Sequence, residues 1–266
     1  MLSGNVLISC NMRIGILYIA LGNYHVFFDD FYHTSEKYFL ANVEKYYYVF
    51  TDYKEFDSKK YPNVRFIEYE NLGWPYNTLM RFHMFYSIKE EIIDNDYLFF
   101  FNANALFVTH IEADILPDEE HNNLVGAIHP GYRGMKPEKY PYERNKCSAA
   151  YISYDEGEYY FQGCFFGGKQ NEFIKLTEYC MNNIDYDMKN GIMAVWHDES
   201  HLNRYFIDFK PKVLDSNYIF PEDLPLKNMK VMILMRDKRK YGGHNSLRGI
   251  RKGIITSIIK RIFHQK

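Results

Sequence analysis

Apolar positions along the chain fall into short unbroken runs separated by stretches of helical spacing. Arg13–Ala20 (RIGILYIA) is one such run, closed by the Gly22-Asn23 turn signal, and reads as a buried strand. Over Val26–Phe39 the residues Phe27, Phe28, Phe31, Tyr38 and Phe39 recur at helical spacing, which predicts an amphipathic helix. Tyr46–Thr51 and Val64–Ile67 follow as second and third strands, and Thr78–Ile93 as a second helix. Glu172–Met188 and Asp198–Phe206 read as later helices. Strands alternating with helices predict a βαβ-type sheet in an α/β protein. No repeat and no linker interrupts the series, so one domain is expected.

The stretch Tyr97–Val108 organises the rest. Its aromatic and aliphatic run is that of a strand buried on both faces. It leads into Asn102-Ala103-Asn104, two amides that the period of a strand points to one side. Buried amides are costly unless something polar meets them. The ends of strands are also where open α/β sheets bind ligands. An Asn-rich turn is the plainer reading of these three residues taken alone.

The region His129–Ser153 is rich in Pro, Gly, Tyr and charge and has no clean period, as expected of a functional or mobile loop. At the C-terminus Leu247, Ile250, Ile254, Ile258 and Ile262 share one helical face, with Arg251, Lys252, Lys260 and Arg261 interleaved. That pattern suits an amphipathic helix lying on an anionic membrane. A terminal helix docked on the body, or a frayed end, is the alternative.

Composition narrows the class. The chain has 266 residues, net charge -2 and a pI near 6.6, so no basic footprint for nucleic acid is present. The four cysteines show no CxxC or framework spacing, which fits a reducing compartment without disulfides. Met1–Asn11 lacks the features of a signal peptide, and no window reaches the ~18 apolar residues of a membrane span. A cytoplasmic protein is expected, with the basic tail as a point of peripheral contact with the inner membrane. Aromatics make up 18% of the chain, which suits stacking on sugars but is read mainly as compositional background.

Three motifs invite chemistry. Gly163–Gln170 (GCFFGGKQ) nearly spells a phosphate-cradling loop, but Gln170 stands where Ser or Thr would hold magnesium and two Phe fill the cradle. Nucleoside triphosphatase chemistry is therefore rejected, and the glycines are read as sites of close backbone approach. His197 and His201 share the i, i+4 spacing of some zinc sites, yet no third ligand accompanies them. Asp198 and Ser200 suit the start of a helix, and Glu199 beside them could be a dipole-favoured surface carboxylate. Trp196, one of two tryptophans, directly precedes this acidic group, as in sites that stack a sugar ring beside a carboxylate; a core Trp is the plain reading.

Together these residues carry a resemblance. Asn190–Val195 followed by Trp196-His197-Asp198-Glu199-Ser200-His201-Leu202-Asn203 resembles the active-site signature of the family 6 glycosyltransferases, which include the ABO blood-group enzymes and the α-1,3-galactosyltransferases. Tyr47–Asp52, His129–Tyr132, Tyr142–Arg144, Asp155–Gly157 and Phe165–Gly168 match in the same order, over about Arg13 to Tyr218. The chain is most similar to the short bacterial members. The resemblance implies a GT-A fold, a single Rossmann-like domain with a mixed, mostly parallel central sheet flanked by helices. It divides the chain into an N-terminal extension (1–12), the glycosyltransferase domain (13–246) and the basic tail (247–266).

The implied activity is α-1,3 transfer of GalNAc or Gal from UDP-GalNAc or UDP-Gal to a galactose-containing oligosaccharide, with retention of configuration. Glu199 then matches the catalytic carboxylate. Ile19, Ala20 and Tyr24 match positions around the uracil and ribose, and Arg81 and Asp198 positions on the donor side. His129 and Trp196, with Glu199, match acceptor contacts. Gln162 and Cys164 occupy the positions that select between the two sugars; a small Cys164 and a hydrogen-bonding Gln162 favour GalNAc. Pro221, Glu222 and Asp223 fall near an acceptor-binding acid of some relatives.

The departure is Asn102-Ala103-Asn104, where the familiar family pattern is Asp-x-Asp, whose carboxylates hold Mn²⁺ against the diphosphate. Hard cations want anionic oxygens, so no metal and no other cofactor is expected. The amides of Asn102 and Asn104, with Ala103 between them, are instead expected to touch donor oxygens. The missing charge would come from Arg236, Lys238, Arg239 or Lys240, with Lys238 assigned to the donor. Glu199 could form a glycosyl-enzyme or stabilise an oxocarbenium-like transition state. The competing class is a carbohydrate- or UDP-sugar-binding protein that has lost catalysis.

Overall fold

The computed structural model describes residues 11–225 and 229–249. The chain opens with β1 (Arg13–Ala20), a tight turn over Gly22–Phe27 and α1 (Phe28–Tyr38). β2 (Glu44–Thr51) and β3 (Val64–Glu68) precede two short helices, α2 (Tyr76–Leu79) and α3 (Arg81–Ser87). β4 (Tyr97–Phe101), β5 (Ala105–Phe107), β6 (Leu124–Ile128) and β7 (Phe161–Lys169) lead to the long α4 (Gln170–Lys189) and to α5 (Asp198–Asp208). β8 (Lys212–Leu214), β9 (Phe220–Pro221), β10 (Ile233–Met235) and α6 (Gly243–Leu247) complete the described chain.

Seven strands form the central sheet in the order β3-β2-β1-β4-β7-β6-β8. All pairings are parallel except those of β7, which runs antiparallel to both neighbours. The expected mixed, mostly parallel α/β sheet is thus present. β5, β10 and β9 make a second, small sheet. The order reverses at β1, which has β2 on one side and β4 on the other. A crevice opens at such a switch point, outside the C-terminal strand ends. Leu21 and Asn102 stand at those two ends.

The aromatic run in β4 is buried on both faces, as its pattern predicts. Phe99 and Phe101 pack with Phe31 of α1 and Phe39 just after it, while Leu98 and Phe100 pack with Phe82 and Phe85 of α3. The stretch Tyr97–Val108 holds two strands, and the first ends at Phe101, just before the Asn pair, as the sequence predicts. Residues 102–104 make a tight turn closed by Ala105 N–H donating to the Asn102 carbonyl at 3.0 Å, so the plainer turn reading of the Asn pair describes the backbone correctly.

Two helix bounds also differ from expectation. α1 begins at Phe28, because the preceding residues wind into the tighter turn. The span Thr78–Ile93 breaks at Met80 and leaves the α-helix after Ser87. There Lys89 and Glu91 bond only three residues back, and Asn95 turns its amide onto the Ile92 carbonyl at 2.9 Å. Asn side chains compete with helical hydrogen bonding in this way. The near-phosphate-loop Gly163–Lys169 is strand β7, and Gly167 lies where a Cβ would come within 2.3 Å of the Phe99 ring.

The segment from His129 to Ser153 is tied down at several points. Tyr140, Tyr142, Ile152 and Tyr160 form their own buried cluster. Glu143 accepts from the backbone N–H of Val195 at 2.7 Å, and the buried Asp187 accepts from Ser148 and Ala149. The approach to α5 is thereby fixed from behind. Among the described residues no helix is long and apolar enough to cross a membrane. Leu247, where the expected basic tail begins, is buried in the core; Ile250 and the residues after it lie outside the described chain.

Candidate active site

The crevice at the strand ends contains two adjoining chambers, of about 210 and 470 Å³. Trp74, Thr78, Arg81, Asn102 and Arg248 line both, so the chambers form one cleft. The first has an apolar wall of Ile19, Leu21 and Tyr24 facing Lys238 and Arg248. The second is lined by Gln162, Gly163, Cys164, Trp196 and Glu199.

The turn at 102–104 forms the sill between them. Asn102 donates its backbone N–H to the Cys164 carbonyl at 2.8 Å, and Tyr18 donates to the Ala103 carbonyl at 2.8 Å. The side chain of Asn102 faces the cleft and donates to Asn104 Oδ1 at 3.1 Å. Asn104 is buried behind the sill, its amide donating to the Arg236 carbonyl at 2.8 Å. The structure therefore brings Asn102 and Ala103 to the cleft and turns Asn104 away from it. Ile19 and Tyr24 line the cleft; Ala20, on the other face of β1, packs into the opposite core layer.

Asp198 and Glu199 open the first turn of α5, after a His197 held at φ 55°. Asp198 is buried and pairs with Arg81 at 2.6 Å. Arg81, also buried, donates to the Gly163 carbonyl and lies 4.3 Å over the Phe100 ring. Desolvation pushes the Asp198 carboxyl up to about 6 while Arg81 opposes the rise. Glu199 accepts from Gly163 N–H at 2.7 Å through one oxygen and from the Tyr160 hydroxyl at 2.5 Å through the other. Burial of its inner side pushes its carboxyl up to about 7, and those two bonds hold it down. A Cβ on residue 163 would stand 3.2 Å from the Glu199 Cβ, so glycine permits this approach. Asn203 ties α5 to β7 through both backbone groups of Phe161.

Trp196 is half exposed on the rim of the second chamber. His129 stands one layer back, its ring 5.9 Å from that of Tyr160 and its Nδ1 accepting from Gly131 N–H. Burial lowers its basicity. Cys164 is buried and its thiol is pushed up to about 12, chiefly by desolvation and then by Glu199, so it stays protonated. His197 faces Trp74, whereas the buried His201 turns toward Asp187, so the two histidines diverge.

Of the four basic residues considered for the missing charge, three have other partners. Arg236 is buried between Asp30 and the Phe27 carbonyl, Arg239 pairs with Asp223 and Asp237, and Lys240 pairs with Glu222. Lys238 lines the cleft, its Nζ 5.4 Å from the Tyr24 ring. Burial pushes its ammonium down to about 8, with Arg248 and Arg81 adding to the effect. Glu222 and Asp223 are likewise committed to this ion-pair group.

Arg248 and Tyr160 were not among the residues that sequence reasoning assigned to the site. Arg248 lies 4.7 Å over the Trp74 ring and lines the first chamber with Tyr24, yet in sequence it sits among the residues of the expected tail. Tyr160 is one of 25 tyrosines with no local mark. A site in which two neutral amides are bonded to one another, and ringed by Arg81, Lys238 and Arg248, does not fit a hard divalent cation.

An α/β crevice with a cationic chamber beside a carboxylate chamber sets groups suited to an anionic ligand next to a carboxylate. The profile of glycosyltransferase family 6 matches residues 4–248. The chain is 39% identical over 237 residues to the O-antigen biosynthesis glycosyltransferase WbnI of Escherichia coli, covering 89% of this chain and 100% of that one. It is 35% identical to histo-blood group ABO system transferase 1 of Rattus norvegicus, over 80% of this chain and 62% of the relative. Globoside alpha-1,3-N-acetylgalactosaminyltransferase 1 of Canis lupus familiaris shares 33% identity, over 81% and 63%. The chain thus spans just under two thirds of these mammalian relatives. It belongs to glycosyltransferase family 6, with the GT-A fold.

Proposed function

We propose that the protein is a retaining α-1,3-glycosyltransferase that moves GalNAc, with Gal as the second choice, from a UDP-sugar to the 3-hydroxyl of a galactoside, for which a fucosylated, H-antigen-like one is a candidate, without a metal ion. The observation that carries this reading is the junction at Asn102 of a cation-lined chamber with a chamber walled by Glu199. A nucleoside diphosphate sugar laid across that sill puts its phosphates among Lys238, Arg248 and Arg81 and its anomeric carbon toward Glu199.

The uracil and ribose then lie along Ile19, Leu21 and Tyr24. Departure of UDP leaves negative charge on the β-phosphate, which Lys238 and Arg248 neutralise; preorganised charge of this kind is commonly a large part of catalysis. On the opposite face of the sugar, ionised Glu199 has two uses. It can attack the anomeric carbon, forming a glycosyl-enzyme as the bond to UDP breaks, after which the acceptor hydroxyl displaces it. Alternatively it stabilises an oxocarbenium-like sugar while the acceptor enters on the face that UDP leaves. Gly163 and Tyr160 hold the carboxylate in place for either. Trp196 offers a ring face to the acceptor, with His129 behind Tyr160.

The preference for GalNAc rests on Gln162, whose Oε1 is buried without a partner among the described residues. The N–H of a 2-acetamido group would satisfy it in a fixed direction, whereas the 2-hydroxyl of Gal, on the same carbon, rotates and is a less directed donor. Buried acceptors of this kind are seldom left unpaired.

The test is UDP release and product formation from UDP-GalNAc and UDP-Gal, with and without 2'-fucosyllactose and EDTA. Full turnover in excess chelator, faster with UDP-GalNAc, is expected. Loss of activity in chelator with rescue by Mn²⁺ would overturn the metal-free reading, and Glu199→Gln at near wild-type rate would overturn the assignment of Glu199.

A further inference from the structure

The second amide of the Asn102-Ala103-Asn104 turn does something its neighbour does not. Asn104 grips a single residue, Arg236, at both ends. The Asn104 carbonyl accepts from Arg236 N–H at 2.9 Å, and its side-chain Nδ2 donates to the Arg236 carbonyl at 2.8 Å. These two bonds extend the antiparallel ladder in which Met235 pairs with Ala105. In a regular ladder the second bond would come from backbone N–H; here, where the chain turns, the side chain supplies it. The orientation of the amide is set by its surroundings. Flipped, Oδ1 would face the Arg236 carbonyl and Nδ2 would face the amide nitrogen of Asn102.

Arg236 is itself fixed from the other side. Its guanidinium donates to Asp30 at 2.7 Å and to the Phe27 carbonyl at 2.9 Å. Two residues on is Lys238, the cation of the first chamber. The chain between them is short, and Asp237 is held as well, its N–H donating to Glu222 at 2.7 Å. The place of the Lys238 ammonium in the cleft is therefore set by where the Arg236 peptide is held, and Asn104 holds it.

From this the geometry points to Asn104 as a positioning residue. It fastens the C-terminal strand β10 and its continuation so that Lys238 stands over the sill, and it leaves contact with the donor to Asn102. An aspartate at 104 could not replace it, because both carboxylate oxygens are acceptors and one would oppose the Arg236 carbonyl. The amide at this position is then required by the anchoring of the substitute cation, separately from any contact with substrate. This inference rests on the donor role given to Lys238 above.

The test compares Asn104→Asp and Asn104→Ala with Asn102→Ala, each also in a Lys238→Ala background, using UDP as ligand in calorimetry and hydrogen exchange on the peptide over residues 233–241. Loss of one buried hydrogen bond predicts roughly tenfold faster exchange there in both Asn104 variants, and no change in Asn102→Ala. UDP affinity should fall about tenfold in Asn104→Asp when Lys238 is present. In the Lys238→Ala background the Asn104 change should cost less than about threefold, since neighbours that act through one another are not additive. A general loss of folding would instead weaken binding equally in both backgrounds, and direct donor contact would multiply the two losses; either result overturns the inference. Unchanged exchange over 233–241 in Asn104→Asp would overturn it as well. If Lys238→Ala alone binds UDP and turns over like wild type, the donor role of Lys238 fails, and the exchange data still decide the anchoring.

Discussion

The hydroxyl of Tyr160 donates to Glu199 across 2.5 Å, and burial together with that carboxylate holds the phenol far above its ordinary ionisation range. The phenol thus remains a donor at every pH at which the enzyme works. A donor to the ionised form of a carboxylate favours that form. Glu199 is pushed up to about 7 by burial and would stand higher without Tyr160. Both proposed uses of Glu199 need the anion, so activity rises with pH through this value. Lys238, pushed down to about 8, must stay charged, so activity falls above it. A narrow bell-shaped profile of kcat/KM against pH is expected. Tyr160→Phe should move the acid limb upward and leave the alkaline limb in place; coincident profiles would show that the phenol does not tune Glu199.

Lys238 is predicted to act on the leaving group. Lys238→Met should lower kcat by about a hundredfold, as for other preorganised charges, with a smaller effect on KM. Lys238→Arg retains the charge on a longer, planar head and should lose about tenfold or less. Steady-state rates with UDP-GalNAc measure both, and equal loss in the two variants would separate the effect from charge.

Gln162 should decide between donors. Gln162→Ala removes the buried acceptor proposed for the acetamido N–H, so the ratio of kcat/KM for UDP-GalNAc over UDP-Gal should drop about tenfold, one buried hydrogen bond's worth. An unchanged ratio would place the discrimination elsewhere in the pocket.

Arg81 supports the site from beneath. Arg81→Met leaves Asp198 as a buried charge without its partner, a change of about 3–5 kcal/mol in unfolding free energy. The sign of its pH dependence follows from Asp198, whose carboxyl is already raised to about 6 with Arg81 present. Removing Arg81 raises it further, so the variant's deficit is full at high pH and shrinks as the carboxyl takes up a proton on acidification. Denaturant titrations at several pH values read this directly.

Much of the fold was legible because the apolar runs are long and both-sided. β1, β2 and β4 declare themselves through Ile14–Ala20, Tyr46–Thr51 and Tyr97–Phe101, and α4 through its regular spacing. The breaks were less legible. The turn at Asn102 depends on β7 offering the Cys164 carbonyl, and after Ser87 the backbone at Lys89 and Glu91 bonds only three residues back. In the site, Glu199 and Arg81 were found through the family signature, not through any local physical mark. The sorting of the C-terminal cations could not be read in advance. Arg236, Lys238, Arg239 and Lys240 look alike in sequence, and only the pairing of β5, β9 and β10 shows which of them have Asp30, Asp223, Asp237 and Glu222 beside them.

The crowding of Lys238 and Arg248 around one chamber of the cleft has a consequence for the enzyme at rest. A site that recruits a metal gains its positive charge together with its ligand, whereas Lys238 and Arg248 repel one another until an anion arrives. The vacant cleft is accordingly a trap for small anions such as inorganic phosphate or sulfate, which would relieve the repulsion and compete with donor. Salt weakens the attraction over a screening distance of about 8 Å in physiological buffer. On the function proposed above, the working concentration of donor that the enzyme needs is tied to the ionic composition around it.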